Sequence, residues 1–316
     1  MIRKFRAAVA AGLLAVSLAT PAFSAENGTG FYLLGARGDG AGFTPPPGWY
    51  FSKVFYYYSG STGGNVALPT GGKFSVGVEA NAFFVAPTVL WIAPEEILGG
   101  RFGLSLATPA GSVTSKADAT LTGALLGRRE ASVEDDLTTY GDPVLGGLLG
   151  WDAGNFHYQV GTSVNVPIGD YHDGGISQLS FNRWAADIYG AVTWFDPALG
   201  WDVSNTLGVT FNGQNPATDY RTGTELHWEG AVTRHLTKQF KAGINGYFYQ
   251  QLTADGGDGA ELGAFKGRVA AIGGSVGYNF EFGKTPVATE LKVFHEFAAE
   301  NRAEGNSIFA TISLPF

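Results

Sequence analysis

Apolar and polar residues alternate along the second half of the chain, in runs of about 10 to 14 residues. In the last run one face carries Ile308, Ala310, Ile312, Leu314 and Phe316, and the other carries Ser307, Thr311 and Ser313, with Phe309 as the exception. A period of two is typical of β-strands with one face against an apolar phase. Strands of soluble proteins average about 5–6 residues, whereas tilted membrane-spanning strands need roughly 9–11. The run lengths therefore favour a transmembrane β-barrel over a soluble β-sandwich, which also alternates.

Short and long connections alternate between these runs. Short links are predicted at residues 152–155, 196–199, 235–238 and 281–285, and long links at 169–182, 213–222, 253–266 and 298–305. Outer-membrane barrels have short periplasmic turns and longer outside loops. The pattern therefore predicts a cell outer-membrane barrel with both chain ends in the periplasm.

Counting strands back from the C-terminus gives an all-β, antiparallel up-and-down barrel of about 12 strands over residues 49–316, with a range of 10 to 14. Its first strands are predicted at residues 49–58, 73–93 and 100–111, followed by a long loop at 112–141. The second strand contains Pro87, where we expect a kink. If this stretch formed two strands, the even number required of single-chain bacterial barrels would be lost.

Residues 1–24 have the features of a secretory signal peptide. Arg3, Lys4 and Arg6 precede an uncharged apolar stretch at 7–19, and Ala22-Phe23-Ser24 offers small residues at a cleavage site. An anchoring transmembrane helix is the alternative, but it needs about 20 apolar residues.

Composition agrees with a sheet that has one face in lipid. The chain has 47 glycines, 14% aromatic residues and only 15% charged residues, whereas soluble domains have about 25% charged residues. It has no cysteine, which excludes disulfide scaffolds and thiolate metal sites. The net charge of −8 becomes −11 without the three leader cations, so we expect no nucleic-acid partner.

Charged residues of the strands are expected to face the lumen, because a cation at mid-depth on the lipid face costs about 2–4 kcal/mol. Two interpretations stay open: the charges pair across the lumen as struts, or some of them line a conduction path. The predicted lumen-lining residues are Glu79, Arg183, Asp187, Glu225, Glu229, Lys241, Arg268, Glu290, Lys292 and Glu296.

Residues 25–48 precede the first strand and have no place in the lipid wall. Phe31-Tyr32-Leu33-Leu34 is apolar, lies between glycine-rich stretches and needs burial. We therefore favour a segment tucked into the lumen over a disordered periplasmic tail. The candidate plug residues are Asn27, Phe31, Tyr32, Leu33 and Leu34.

No enzyme motif stands out. The five histidines, at 157, 172, 227, 235 and 295, show no metal-binding spacing, and no Gly-x-Ser-x-Gly is present. We predict no catalytic residue, metal or cofactor. An outer-membrane enzyme that uses Ser204 and His227 is the weakest alternative.

Several stretches resemble the outer-membrane family named for the MetA pathway of phenol degradation. They include Glu26 to Gly35, Pro45 to Phe51, Tyr56 to Gly60, Tyr140 to Pro143, Pro167 to Tyr171, Leu179 to Trp184, and Asn245 to Gln251 followed by Asp255 to Gly259. The resemblance implies passive passage of small hydrophobic or aromatic compounds across the outer membrane. It also implies an N-terminal plug, as in related fatty-acid and toluene channels. A non-transporting structural or adhesive barrel is the alternative.

The expected partners are therefore outer-membrane lipid and such solutes. The barrel-assembly machinery is a further expected partner, through a C-terminal signal of Ile312, Leu314 and Phe316.

Overall fold

The computed structural model describes residues 25–67, 73–123, 127–260 and 265–316. In these ranges the chain is all-β, apart from one 3₁₀ turn at Glu26–Gly28. Twelve antiparallel strands form a closed barrel. They are β1 (Gly48–Ala67), β2 (Lys73–Ile97), β3 (Gly100–Ala107), β6 (Val144–Ala153), β7 (Phe156–Asn165), β8 (Ala185–Asp196), β9 (Trp201–Asn212), β12 (Glu225–His235), β13 (Phe240–Gln251), β14 (Arg268–Phe282), β15 (Thr285–Glu300) and β16 (Glu304–Pro315). The predicted signal peptide at 1–24 lies outside the described residues.

Each barrel strand pairs with its neighbours around the wall, and the first strand pairs with the last. In β1, Tyr50 lies opposite Pro315 of β16 on one side and opposite Leu90 of β2 on the other. Closure leaves no unpaired strand edge inside the bilayer, where an unpaired backbone group has no water to bind. The predicted fold class and strand count are confirmed.

Loop lengths set the orientation. Five turns of two to four residues lie at the end that carries Gly48 and Phe316, at 98–99, 154–155, 197–200, 236–239 and 283–284. The opposite end carries the long connections at 166–184, 213–224 and 252–267. We call these the inner and outer ends, because short turns face the periplasm in such barrels. The predicted long link at 298–305 is wrong, since β15 and β16 continue until only residues 301–303 separate them.

The predicted loop at 112–141 is also wrong. It contains the strands β4 (Ala110–Gly123) and β5 (Gly127–Tyr140), which pair with each other. Strand β4 also pairs with the first half of β2, from Lys73 to Val85. Together with the outer ends of β1 and β2 they form a sheet beyond the barrel, which we call the outer sheet. Two short strands, β10 (Gln214–Asn215) and β11 (Tyr220–Arg221), pair within one outer loop.

The outside of the wall is apolar. In β8, buried Asp187, Tyr189 and Thr193 alternate with outward residues such as Ile188, which is 59% exposed. Burying a side chain of this size is worth about 1.5–3 kcal/mol relative to water, so a continuous exposed belt is stable only against lipid. The exposed aliphatic belt includes Leu104, Leu145, Val160, Ile188, Leu207, Val232, Ile244, Ile272 and Leu291.

Exposed aromatic side chains lie on either side of this belt. Trp49, Phe156, Trp201, Tyr278 and Phe316 are exposed near the inner end, and Trp184, Phe211, Trp228 and Phe297 are exposed near the outer end. Two aromatic girdles are typical of outer-membrane barrels. No helix in the described ranges is long and apolar enough to cross a membrane.

Candidate functional site

The barrel interior is occupied by residues 25–44, which we call the lumenal segment. At the outer end, the Ala25 amide donates to Asp255 Oδ2 at 3.1 Å. At the inner end, the Gly42 amide donates to Thr193 Oγ1 at 2.9 Å. The segment therefore runs the length of the lumen, and residues 45–47 connect it to the start of β1.

A buried ion pair anchors the outer end of the lumenal segment. Glu26 Oε2 lies 3.0 Å from Arg183 Nη1, and the two side chains are 8% and 1% exposed. Glu26 Oε1 accepts hydrogen bonds from Asn215 Nδ2 at 2.8 Å and Thr218 Oγ1 at 2.6 Å. These partners come from two different outer loops and the end of the wall, so Glu26 ties the segment to the outer rim.

The middle of the segment contacts opposite sides of the wall. The Tyr32 ring stacks on His227 with centroids 3.5 Å apart, and the Gly35 amide donates to Glu229 Oε1 at 2.9 Å. On the other side, Leu34 packs in an apolar cluster with partly buried Leu33 against it. The predicted plug residues Tyr32, Leu33 and Leu34 therefore lie in the lumen, whereas the Phe31 ring packs edge-on against Phe181 of an outer loop with centroids 6.4 Å apart. Asn27 lies in the 3₁₀ turn, and its side chain is outside the described residues.

The inner part of the segment is held by charges. Asp39 forms an ion pair with Lys241 of β13. Lys292 Nζ donates to the carbonyl oxygens of Ala36 at 2.9 Å and Arg37 at 3.2 Å. The Arg37 guanidinium lies 3.5 Å from the centroid of the Tyr189 ring.

Two glycines permit this close fit. A Cβ at Gly42 would lie 2.3 Å from the His157 carbonyl oxygen, which is backbone and cannot move aside. A Cβ at Gly30 would lie 2.6 Å from Glu225 Oε1. At Gly42 the segment can approach the wall only because the residue lacks a side chain, whereas at Gly30 a side chain would have to displace the carboxylate of Glu225.

The inner wall has two chemically different halves. The half formed by β7, β8, β9 and β12 is polar, and its buried side chains include Gln159, Asp187, Thr193, Asp202, Ser204, Thr206, Thr210, Glu225, His227 and Glu229. The half formed by β13 to β16 carries the apolar cluster, whose wall members are Tyr247, Tyr249, Val269, Ala271, Phe294 and Phe309. Tyr56 and Val54 of β1 pack against it. The lumenal segment lies between the two halves and covers both.

Most of the predicted lumen-lining residues lie inside the barrel. Six are at most 3% exposed, namely Arg183, Asp187, Glu225, Glu229, Lys292 and Glu296. Lys241 and Glu290 lie near the inner end, with side chains 20% and 19% exposed.

For two residues the prediction that they face the lumen was wrong. Arg268 shares its phase in β14 with lipid-facing Ile272 and forms an exposed ion pair with Glu300 at 2.6 Å. Glu79 is exposed and lies opposite Lys116 in the register of the outer sheet. Both residues lie towards the outer end of the wall, where water solvates a charge and the cost of facing outward disappears.

The wall acids are bound by neutral donors and by the lumenal segment more than by wall cations. Glu296 accepts from the hydroxyls of Tyr58 and Tyr247, each at 2.9 Å. Glu225 accepts from Tyr249 Oη at 2.6 Å and Asn212 Nδ2 at 2.9 Å. Among the described residues, ion pairs that span the lumen from wall to wall are therefore a minor source of stabilisation for these acids.

Outer-loop contacts cap the lumen. Asp255 accepts hydrogen bonds from the amides of Ala25 and Gly223 and from Tyr220 Oη, the last at 2.6 Å. Burial and the neighbouring Asp255 carboxylate raise the pKa of Tyr220 above its usual range. The hydroxyl therefore stays protonated and keeps donating at physiological pH.

No serine hydroxyl in the described ranges is hydrogen-bonded to a histidine. Ser204 bonds to Thr193 and Asp202, and His227 bonds to Asp187 at 2.8 Å. The two candidate residues of the enzyme alternative therefore serve separate contacts.

Comparison with known proteins gives the family. The sequence pattern of the family described as "Putative MetA-pathway of phenol degradation" matches residues 64–312, which is most of the chain. The chain belongs to this family. No curated protein matches this family member.

A solved structure shares this architecture. The crystal structure of the COG4313 outer membrane channel from Pseudomonas putida F1 matches with a TM-score of 0.67 at 16% identity, covering 88% of this chain and 98% of that one. Weaker matches include the CymD monoaromatic hydrocarbon channel and OpdK of Pseudomonas aeruginosa with vanillate. Their TM-scores are 0.36 and 0.32 at 8% and 10% identity, with 86% and 84% of this chain and 89% and 98% of theirs covered. The last two are too distant to support an inference. This member of the phenol-degradation family is an outer-membrane barrel.

Proposed function

We propose that the protein is a passive outer-membrane channel for small hydrophobic or aromatic compounds, with the lumenal segment as its plug. The apolar cluster on the inner face of β13 to β16 is the main support for this proposal. It places Tyr247, Phe294 and Phe309, each at most 3% exposed, around Leu34 of the segment. Apolar solutes bind to such a surface by the hydrophobic effect.

Passage requires the segment to move. Asp187, His227 and Glu229 are at most 2% exposed in mid-lumen, because the segment and neighbouring side chains cover them. The segment is held by hydrogen bonds, ion pairs and packing, which can open reversibly. Displacement would uncover the apolar cluster of β13 to β16, beside the buried polar side chains of Lys292 and Glu296.

Family membership supports the same solute class. The family is named for phenol degradation, and an organism that degrades aromatic compounds must first move them past the outer membrane. The COG4313 protein, whose barrel resembles this one, is also an outer membrane channel rather than an enzyme. We therefore propose no catalytic role.

Uptake by a Gram-negative host with and without the protein tests the proposal. The initial uptake of phenol and benzoate should rise when the chain is present in the outer membrane. Phe294→Ser should lower uptake of these solutes relative to a polar solute of similar size. Phe297→Ser is the matched control, because Phe297 lies three residues further along β15 and is 45% exposed on the lipid side. Equal uptake with and without the protein, across phenols, benzoates and alkanols, would sink the transport claim.

A non-transporting structural barrel is the second candidate. This candidate is favoured by the ion pairs that anchor the lumenal segment at both ends, with Arg183 at the outer end and Lys241 at the inner end. A segment that stays docked under all conditions would leave no path, and the protein would then act only through its outer surface.

We also propose that the last strand is the signal for barrel assembly. Ile312, Leu314 and Phe316 share the outward phase of β16, and Phe316 is 70% exposed. An apolar C-terminal edge of this kind is accessible to the assembly machinery before the strand pairs with β1.

A further inference from the structure

Three potential metal ligands converge at the inner end of the lumen. Asp39 belongs to the lumenal segment, Asp202 is the second residue of β9, and His235 is the last residue of β12. One ligand atom from each lies within 4.8 Å of the others. The two strand ends adjoin here, because the His235 amide donates to the Gly200 carbonyl oxygen at 2.8 Å.

Asp39 has a buried carboxylate oxygen without a donor. Its side chain is 4% exposed, and Oδ1 accepts no hydrogen bond, while Oδ2 is paired with Lys241. Asp202 beside it is 1% exposed and accepts a hydrogen bond from Ser204 at 2.6 Å through Oδ1. A buried carboxylate oxygen without a partner is costly and rare. A cation between the two carboxylates would satisfy it.

The surrounding charges leave room for a cation. Lys241 is shared between Asp39 and Glu290, and Lys292 lies 3.8 Å from Glu290 Oε2. Both lysines are therefore engaged by Asp39 and Glu290, and in the described ranges no lysine or arginine forms an ion pair with Asp202.

We propose that Asp39, Asp202 and His235 bind a divalent transition-metal ion of the Zn²⁺ type and so fasten the lumenal segment to the wall. Zn²⁺ binds imidazole nitrogen and carboxylate oxygen at about 2.0–2.2 Å, which places tetrahedral ligand atoms roughly 3.4 Å apart. The present separations, all within 4.8 Å, exceed that value, so the side chains would have to draw together on binding. Three protein ligands leave the fourth position for water.

Sequence spacing could not reveal this site. The ligands come from three separate elements, and no two of them lie on one helix or hairpin turn. The sequence-based expectation of no metal rested on local spacing alone, and the fold brings the three residues together.

Zn²⁺ binding to the purified full chain in detergent tests the proposal, after treatment with a chelator and with titration calorimetry as the readout. We expect one Zn²⁺ per chain, and a binding constant at least tenfold weaker in Asp39→Asn and in His235→Gln. Asp173→Asn and His295→Gln are controls, because both residues are exposed and lie away from the cluster. Heat-dependent migration on gels verifies that each variant is folded. Absence of binding to the wild-type chain, or equal binding by the cluster variants, overturns the proposal.

A second measurement needs no variant of the cluster. A single cysteine at Leu34→Cys reports release of the lumenal segment through its rate of maleimide labelling. Zn²⁺ should slow this labelling at least tenfold if the ion fastens the segment. Labelling at the same rate with and without Zn²⁺ would overturn the proposed fastening, whatever the variants do.

Discussion

Removing the outer anchor should release the lumenal segment. Glu26→Ala deletes the carboxylate that accepts hydrogen bonds from Arg183, Asn215 and Thr218. Arg183 would then be a buried cation at 2% exposure without an acid partner, and its Nη2 atom already has no hydrogen-bond partner. The segment would lose its strongest contact at the outer end.

The size of the effect follows from the burial of this pair. Removing one partner of a buried ion pair costs about 3–5 kcal/mol. Each 1.4 kcal/mol changes an equilibrium about tenfold, so a loss of about 3–5 kcal/mol should raise the released population by roughly two to three and a half powers of ten. Because Glu26 is 8% exposed, water partly compensates the loss, and we expect a rise of about 100-fold.

Cysteine labelling measures this population. The chain has no native cysteine, so Leu34→Cys provides a single thiol in the apolar cluster. When docking is fast, the labelling rate is proportional to the released fraction. The Glu26→Ala chain with this cysteine should label about 100-fold faster than the same chain with Glu26 intact.

Glu95→Ala with the same cysteine is the matched control, because Glu95 is an exposed glutamate near the inner turn of β2. It should label at the wild-type rate. Equal rates for Glu26→Ala and Glu95→Ala would refute the reasoning that the buried pair holds the segment in the lumen.

Three other predictions follow from the same contacts. Gly42→Ala places a methyl group 2.3 Å from the His157 carbonyl oxygen, so it should also speed labelling of Leu34→Cys, whereas Gly154→Ala, in an open turn, should have only a small effect. Deleting Phe316, whose amide donates to the Trp49 carbonyl oxygen at 3.0 Å, should lower the amount of folded barrel in the membrane, as measured by heat-dependent gel migration; normal amounts would contradict the proposed signal. Because the pKa of Tyr220 is raised, Tyr220→Phe should leave the absorbance titration of phenols near pH 10 unchanged, and a loss of one titrating group there would contradict it.

Membrane physics made most of the wall predictable. Lipid demands an apolar outer face, full backbone pairing and long strands, and these constraints leave a period of two and alternating loop lengths in the sequence. The same constraints did not predict the outer sheet. Neither face of this sheet lies against lipid, so its strands can carry charged residues such as Lys116, Asp118 and Arg128. With these charges the sequence pattern of β4 and β5 resembles that of a loop.

The cost of placing a charge in lipid predicted most of the inward-facing charges. The inward rule held for Asp187 and Lys292 within the wall, and also for Arg183 and Glu225 at its outer end. It failed for Glu79 and Arg268 towards the outer end, where the cost that enforces it vanishes. Phe309 broke the alternation of the last strand, and the structure gives the reason: it is 1% exposed in the apolar cluster under the lumenal segment.

The partners of the lumenal segment were not predictable from the sequence. The apolar run Phe31 to Leu34 indicated burial, but its contacts with His227, Glu229 and Phe294 join residues far apart in the chain. Only the closed wall brings them together, because a barrel places β12 and β15 around one lumen.

The central claim is that solutes pass when the lumenal segment moves aside. Gly38→Cys with Lys292→Cys places two thiols within reach of a short cross-linker, since a Cβ at Gly38 would lie 3.8 Å from Lys292 Cδ. A short cleavable cross-linker can then fix the segment to β15. Cross-linking should stop the uptake of phenol, and cleaving the linker should restore it. Uptake that continues unchanged while the segment is fixed to the wall would contradict the account.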